Sequence, residues 1–177
     1  MKLFMLFLFL FQNPKPEIRV AELEQKIHQL VNFERRPDRP TFDWDDELAK
    51  LARAHSEDMA KRKYFKHVNP EGMTPMKRAE AAGYRVCQLM GENIYQNNLY
   101  SRVITEKKRT TYDWNTMDQI AATTLKGWMQ SEGHRQNILE KNYTREGIGV
   151  AIDQEDDGKV YITQVVCGSP EPQAQER

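Results

Sequence analysis

His67 in FKHVNPEG, Glu92 in GENI and His134 in SEGHRQNIL each stand beside glycine, proline or an expected helix start, where a side chain projects from a turn. Two imidazoles and a carboxylate are the groups that bind a metal ion or carry protons near neutral pH. As neutral imidazoles plus one carboxylate they make a three-ligand set with an open position, suited to zinc. A carboxylate near two imidazoles would also raise their pKa values, giving a cavity that titrates near neutral pH. The separations, 25 residues from 67 to 92 and 42 from 92 to 134, match no local metal motif. The competing reading has both histidines capping helices or turns, with Glu92 paired to Arg78 or Arg135.

The elements that must position these groups can be read from periodicity. From Glu17 to Arg36 the spacing of Leu23, Ile27, Leu30, Val31 and Glu34 predicts a helix that Pro37 and Pro40 stop. His28, off the centre of that stripe, is expected on the surface. Asp45, Asp46 and Glu47 open a second helix, where the macrodipole favours negative charge. On it Leu48, Leu51, Ala52, His55 and Met59 share a stripe, so His55 is expected to face the core as a neutral imidazole bonded to backbone. Thr74-Pro75 starts a short third helix that Gly83 ends. Gln119 to Gln130 is a further helix, with Trp128 in the core. Ile148, Val150 and Ile152, then Val160, Ile162 and Val165, alternate around a turn at Asp157-Gly158 and predict a β-hairpin. Near the site, Gly91 and Gly133 are expected to give the backbone room or positive φ. Asn93 and Asn137 are expected to bond to backbone, and Ser131 to cap the turn carrying His134.

At 177 residues the chain suits one domain able to bury a proper core. Basic and acidic residues balance at 26 each, which gives no electrostatic footprint for nucleic acid. After Met1 and Lys2 comes LFMLFLFLF, an apolar run about 14 Å long as a helix, against roughly 30 Å for a bilayer core. It reads as a secretory signal followed by QNPKPE, with membrane contact only through this segment if it stays uncleaved. Cys87 and Cys167 are the two cysteines. In an exported chain they form a disulfide tying the last strand to the middle of the sequence, a long loop for which the entropy model assigns about 4–5 kcal/mol. Otherwise they are two small buried hydrophobes.

Beyond these local readings, the segments LVNFERR, FDWDDELAKLARAHSEDMA, YFKHVNPEG, GENI, GWMQSEGHRQNIL, GIGVAI and VYITQVV occur in one order between about residue 20 and residue 168. Together they resemble the CAP superfamily, the SCP-like extracellular domain, and its prokaryotic branch in particular. Helices first, a strand near GENI and a hairpin last make an α+β fold rather than alternating βα units. The resemblance implies an α-β-α sandwich with a small antiparallel sheet between helical layers. Residues 1–16 are then a signal-like segment and linker, 17–168 the domain and 169–177 a disordered tail. Residues 97–118, longer than the usual stretch after GENI in the family, are expected to form a polar surface loop.

The resemblance also implies a cavity built from His67, Glu92 and His134. The family often adds a second glutamate one turn after the tryptophan of the preceding helix. Counted from Trp128 that position is Ser131, and Glu132 follows about 100° further round a helix. No nucleophile constellation is identifiable, which favours a secreted or envelope-associated binding protein. Its ligand would be a metal, with zinc the candidate cofactor, a small apolar molecule or an envelope component. The alternatives are a metal-dependent hydrolase using the same cavity and a structural protein of the cell envelope.

Overall fold

Alternation along two long strands sorts the core of this protein into two layers. A computed structural model describes residues 15–36, 38–107, 109–153 and 158–169. In chain order the elements are α1 (Val20–Arg35), β1 (Asp43–Trp44), α2 (Asp46–Arg62), α3 (Pro75–Ala81), β2 (Leu89–Asn98), β3 (Tyr100–Glu106), β4 (Arg109–Trp114), α4 (Met117–Gln130), α5 (Glu132–Leu139), β5 (Tyr143–Asp153) and β6 (Lys159–Gly168). The apolar run near the start and the tail beyond residue 169 lie outside the described residues, as does Asp157.

The main sheet has the order β1-β5-β6-β2, antiparallel except for the two-residue parallel pairing of β1 with β5. Successive side chains of a strand point to opposite faces. On one face Ile148, Val150, Val160, Ile162 and Val166 pack with Leu23, Ile27 and Val31 of α1, Ile120 and Trp128 of α4, and Ile138 of α5. On the other, Val165 and Cys167 meet Leu48 and Ala52 of α2, while Ala151, Tyr161 and Ile94 meet Met59. The α-β-α sandwich follows from that division.

Two glycines set the distance between α2 and the sheet. A Cβ on Gly147 or Gly149 would run into the α2 backbone at Ala49 and Arg53. Ser56 uses this close approach to donate to the Gly149 carbonyl at 2.9 Å and to Thr163 Oγ1 at 2.8 Å.

The helix ends are held by the residues that announce them. Asp45 Oδ1 accepts from the backbone N–H of Glu47 and Leu48, and Thr74 caps α3 ahead of Pro75. Thr116 and Gln119 form a reciprocal capping box that starts α4 two residues before Gln119. Cys87 and Cys167 are joined in a disulfide with Cα atoms 5.4 Å apart, closing a separation of 80 residues.

Two expectations are corrected. Residues 97–118 hold the antiparallel β3–β4 hairpin rather than a polar loop. Its aromatic residues pair across the strands, with Tyr100 of β3 edge-on to Tyr112 at 5.2 Å, and Tyr112 stacks on Trp114 of its own strand at 4.7 Å. His28 is not a surface residue: its side chain is 15% exposed and its Nδ1 lies 2.5 Å from Oε1 of the fully buried Glu146. Among the described residues no helix is long and apolar enough to cross a membrane.

Candidate functional site

The three residues singled out by type come together around β2, the edge strand of the main sheet. Glu92 projects from β2 toward the α2 layer, His67 lies in the segment between α2 and α3, and His134 stands in the first turn of α5. His67 Nδ1 is 2.9 Å from Glu92 Oε1, and the rings of His67 and His134 are edge-to-face with centroids 6.2 Å apart. The pairing of Glu92 with Arg78 holds as well: the guanidinium bonds Oε2, and its other nitrogen donates to the carbonyls of His67 at 2.7 Å and Met73 at 3.1 Å. Arg78 thus anchors the carboxylate and the segment that carries His67.

Burial decides the roles. The Glu92 side chain is 1% exposed, whereas that of His67 is 47% exposed. A carboxylate at that depth needs charged or hydrogen-bonding partners on both oxygens, and Arg78 and His67 supply them. Because Glu92 accepts, Nδ1 of His67 carries the bonding proton, and Nε2 is the ring nitrogen left for other chemistry. A carboxylate that orients an imidazole in this way recurs behind metal-ligating and basic histidines.

His134 does not share that partner. Burial, and then the neighbouring His67, lower its pKa from the ordinary 6.5. For His134 this corrects the expectation that Glu92 would raise it, because the carboxylate charge is taken up by Arg78 and His67. His134 is therefore neutral at pH 7 and offers a second lone pair.

His55 faces the core as expected, with Nε2 donating to the Lys66 carbonyl at 3.0 Å. Its distance of 3.8 Å to Glu92 Oε1 is a relationship the sequence does not announce. Burial lowers its pKa, partly offset by the Glu92 carboxylate.

A buried polar chain supports the site from the opposite face of β2. Asn93 Nδ2 donates to the His134 carbonyl at 3.0 Å and to Gln164 Oε1 at 2.8 Å. Asn137 Nδ2 donates to the Glu92 carbonyl at 3.2 Å and to Asn93 Oδ1 at 2.8 Å. Gln164 Nε2 continues to Glu146, and Glu146 to His28. Sequence reasoning found the backbone bonds of Asn93 and Asn137 but not the chain behind them. Arg35, 1% exposed, holds the far end of α5 by donating to the carbonyls of Ile138, Glu140 and Tyr143.

Other expected members stand differently. Ser131 is the residue before α5, but its side chain makes no capping bond. Glu132 is exposed and accepts only from Gln136, at 3.4 Å, so neither joins the cluster. Gly91 needs its missing Cβ, which would stand 2.7 Å from Asn137 Oδ1; Gly133 has open space and no positive φ. Among the described residues no group of three His, Cys, Asp or Glu side chains is placed to hold a metal ion. No hydroxyl or thiol among them bonds to either site imidazole.

The chain is similar to known proteins over most of its length. Residues 30–167 match the Cysteine-rich secretory protein family, CAP. The chain is 30% identical over 149 residues to the uncharacterised protein YkwD of Bacillus subtilis, covering 83% of this chain and 48% of that one. It is 34% identical over 128 residues to the uncharacterised membrane protein YlbC of the same organism, covering 72% and 31%. It therefore spans half or less of the length of these relatives. An extracellular protein containing an SCP domain from Bacillus anthracis superposes with a TM-score of 0.64 at 29% identity, over 87% of this chain and 45% of that one. An outer surface protein of Borrelia burgdorferi shares the fold with a TM-score of 0.63 at 14% identity, over 88% and 99%.

Proposed function

This chain belongs to the cysteine-rich secretory protein (CAP) family, and from that premise we propose that it is an exported, non-enzymatic binding module whose ligand engages His67 and His134. The observation that carries this reading is the division of labour at Glu92. Its carboxylate is buried and saturated, so it orients His67 and leaves Nε2 available, while no nucleophile is hydrogen-bonded to either imidazole. Two imidazoles held in this way offer ring nitrogens to a polar ligand or a shared cation. Export rests on the signal-like N-terminal run, and the disulfide suits an oxidising compartment.

Zinc is the cation that the donor set would favour. Two imidazoles on one tetrahedral zinc, with bonds of about 2.0 Å, have ring centroids roughly 5 Å apart. The 6.2 Å found between His67 and His134 is close to that separation. His67 and His134 would hold the ion, with Glu92 behind His67 as the group that fixes its tautomer rather than as a third ligand. Bound zinc would supply Lewis acidity and an attachment point for an anionic or carbonyl ligand.

Calorimetric titration of zinc into the protein, beside a His67→Ala/His134→Ala variant, tests this reading. Micromolar binding that the variant loses is expected. Binding that survives the double substitution, or none in either protein, removes the cation from the proposal. Turnover of a substrate lost on substituting either histidine would instead favour hydrolysis, with carboxylate-oriented His67 as the base.

A further inference from the structure

The buried polar chain behind the site has a direction. Asn93 of β2 stands directly opposite Gln164 of β6, and Glu146 of β5 is two residues from Ile148, the partner of Gln164 on its other side. All three are 0% exposed, on the sheet face that also carries Ile148, Ile162 and Val166.

Both ends of the chain rest on main chain. Asn32 Oδ1 accepts from Phe42 N–H at 2.7 Å, and Asn32 Nδ2 donates to the Phe42 carbonyl at 3.0 Å. The same amide nitrogen faces His28 Nε2 at 3.3 Å, so Nε2 accepts and Nδ1 carries the proton toward Glu146 Oε1. At the other end Asn93 Nδ2 and Asn137 Nδ2 donate to the carbonyls of His134 and Glu92. Between these ends Asn137 gives to Asn93 Oδ1, Asn93 to Gln164 Oε1, and Gln164 Nε2 to Glu146 Oε2.

Glu146 is the member that receives from both sides. A carboxylate, with an acceptor on each oxygen and no donor, is what the chain requires there. Turning any amide round brings two donors or two acceptors together, and the fixed ends leave no way to pass the reversal on. Groups mispaired at this depth stay unsatisfied. The chain also has a destination: its last carbonyls belong to Glu92, which orients His67, and to His134. Arg35 holds the far end of α5, and the Asn93 bond holds the first turn, where His134 stands.

We propose that Glu146 is a positioning residue for the His67–His134 pair, setting the main-chain placement of His134 and Glu92 through Gln164, Asn93 and Asn137. Its use in binding rests on the reading of that pair as the ligand site.

Exchange of the two residues is the test. Glu146→Gln turns an amide nitrogen against His28 Nδ1 or Gln164 Nε2, and Gln164→Glu sets two carboxylates face to face. Glu146→Gln/Gln164→Glu restores every pairing without a change of size. The amide oxygen at 146 then accepts from His28, its nitrogen donates to the carboxylate at 164, and that carboxylate accepts from Asn93. The readouts are the carbonyl carbon resonances of His134 and Glu92, and zinc affinity by calorimetry. Each single variant should shift both resonances and weaken zinc binding by about tenfold, the lower end for loss of a group that supports a metal ligand. The double variant should recover both. Its melting temperature should return only in part, because the charge has moved away from His28 and Arg35. Where a single variant fails to fold, a folded double variant with parent-like resonances supports the proposal, and one that also fails to fold overturns it. Resonances or zinc affinity unchanged in Glu146→Gln, or not recovered in the double variant, overturn it as well. If the parent binds no zinc, the ligand-site reading fails and the carbonyl resonances alone decide the positioning role.

Discussion

Arg78 holds Glu92 across two elements: the guanidinium on α3, 14% exposed, bonds a carboxylate on β2 that is 1% exposed and has little access to water in its place. Removing one partner of a buried pair leaves an uncompensated charge, which typically costs about 3–5 kcal/mol. Arg78→Ala is therefore expected to lower stability by about 3 kcal/mol, a large share of the total of a small domain. It should also free the segment carrying His67, because two carbonyls lose their donor with the same substitution. Urea unfolding of the variant measures the first effect, and broadening of the His67 ring resonances the second. An unfolding midpoint like that of the parent would contradict the assignment.

Acid should weaken the fold well before its carboxylates titrate. His55 and His134 are both held below 6.5, chiefly by burial. As pH falls through about 6.5 the unfolded chain takes up protons at these positions while the folded chain does not, so stability is lost in that window and is full above it. Asp58 and Glu71 are lowered from 3.8 and 4.5 by their hydrogen bonds to Arg62, and their contribution is lost only at lower pH. Urea midpoints at about pH 7.5 and pH 5.5 should differ, with the protein weaker at the lower value. His134→Gln should make that difference smaller.

Gly149 is where α2 sits directly on the sheet. An added Cβ meets the backbone of Ala52 and Arg53, which cannot rotate away as a side-chain end would. Overpacking of this kind costs about 1–3 kcal/mol and more where backbone must move. Gly149→Ala is expected at or above the top of that range, with loss of the Ser56 bonds to Gly149 and Thr163. Thermal unfolding reads the cost. A melting temperature within a degree or so of the parent would show that α2 can shift freely.

The legible parts of this fold were those decided within a few residues. Asp45, Thr74-Pro75 and the alternating residues of β5 and β6 announce their elements because caps and pleats are local. Family resemblance supplied the arrangement and the grouping of His67, Glu92 and His134, whose side chains lie near one another around β2. The β3–β4 hairpin was missed because its polar, charged turn outweighed the alternation in YSRVIT and TTYDW. His28 was misplaced because its partner, Glu146, is 118 residues away, and one helix pattern contains no sign of it. The proximity of His55 to Glu92, and the chain from His28 through Glu146 and Gln164 to Asn93, are likewise products of strands and helices meeting. Such networks become visible only when packing is known.

The location of the site on β2 has a consequence for how the protein behaves in a crowd. β2 is ten residues long and lies at the margin of the main sheet, the position from which sheets recruit foreign strands. Here α3 and the His67 segment pack beside the start of that margin and α5 with His134 on its other side, and Asn137 occupies the Glu92 carbonyl. The groups that would meet a ligand therefore also act as a seal against self-association. Changes that loosen them would be felt first as lost solubility, at concentrations where the folded core is still intact.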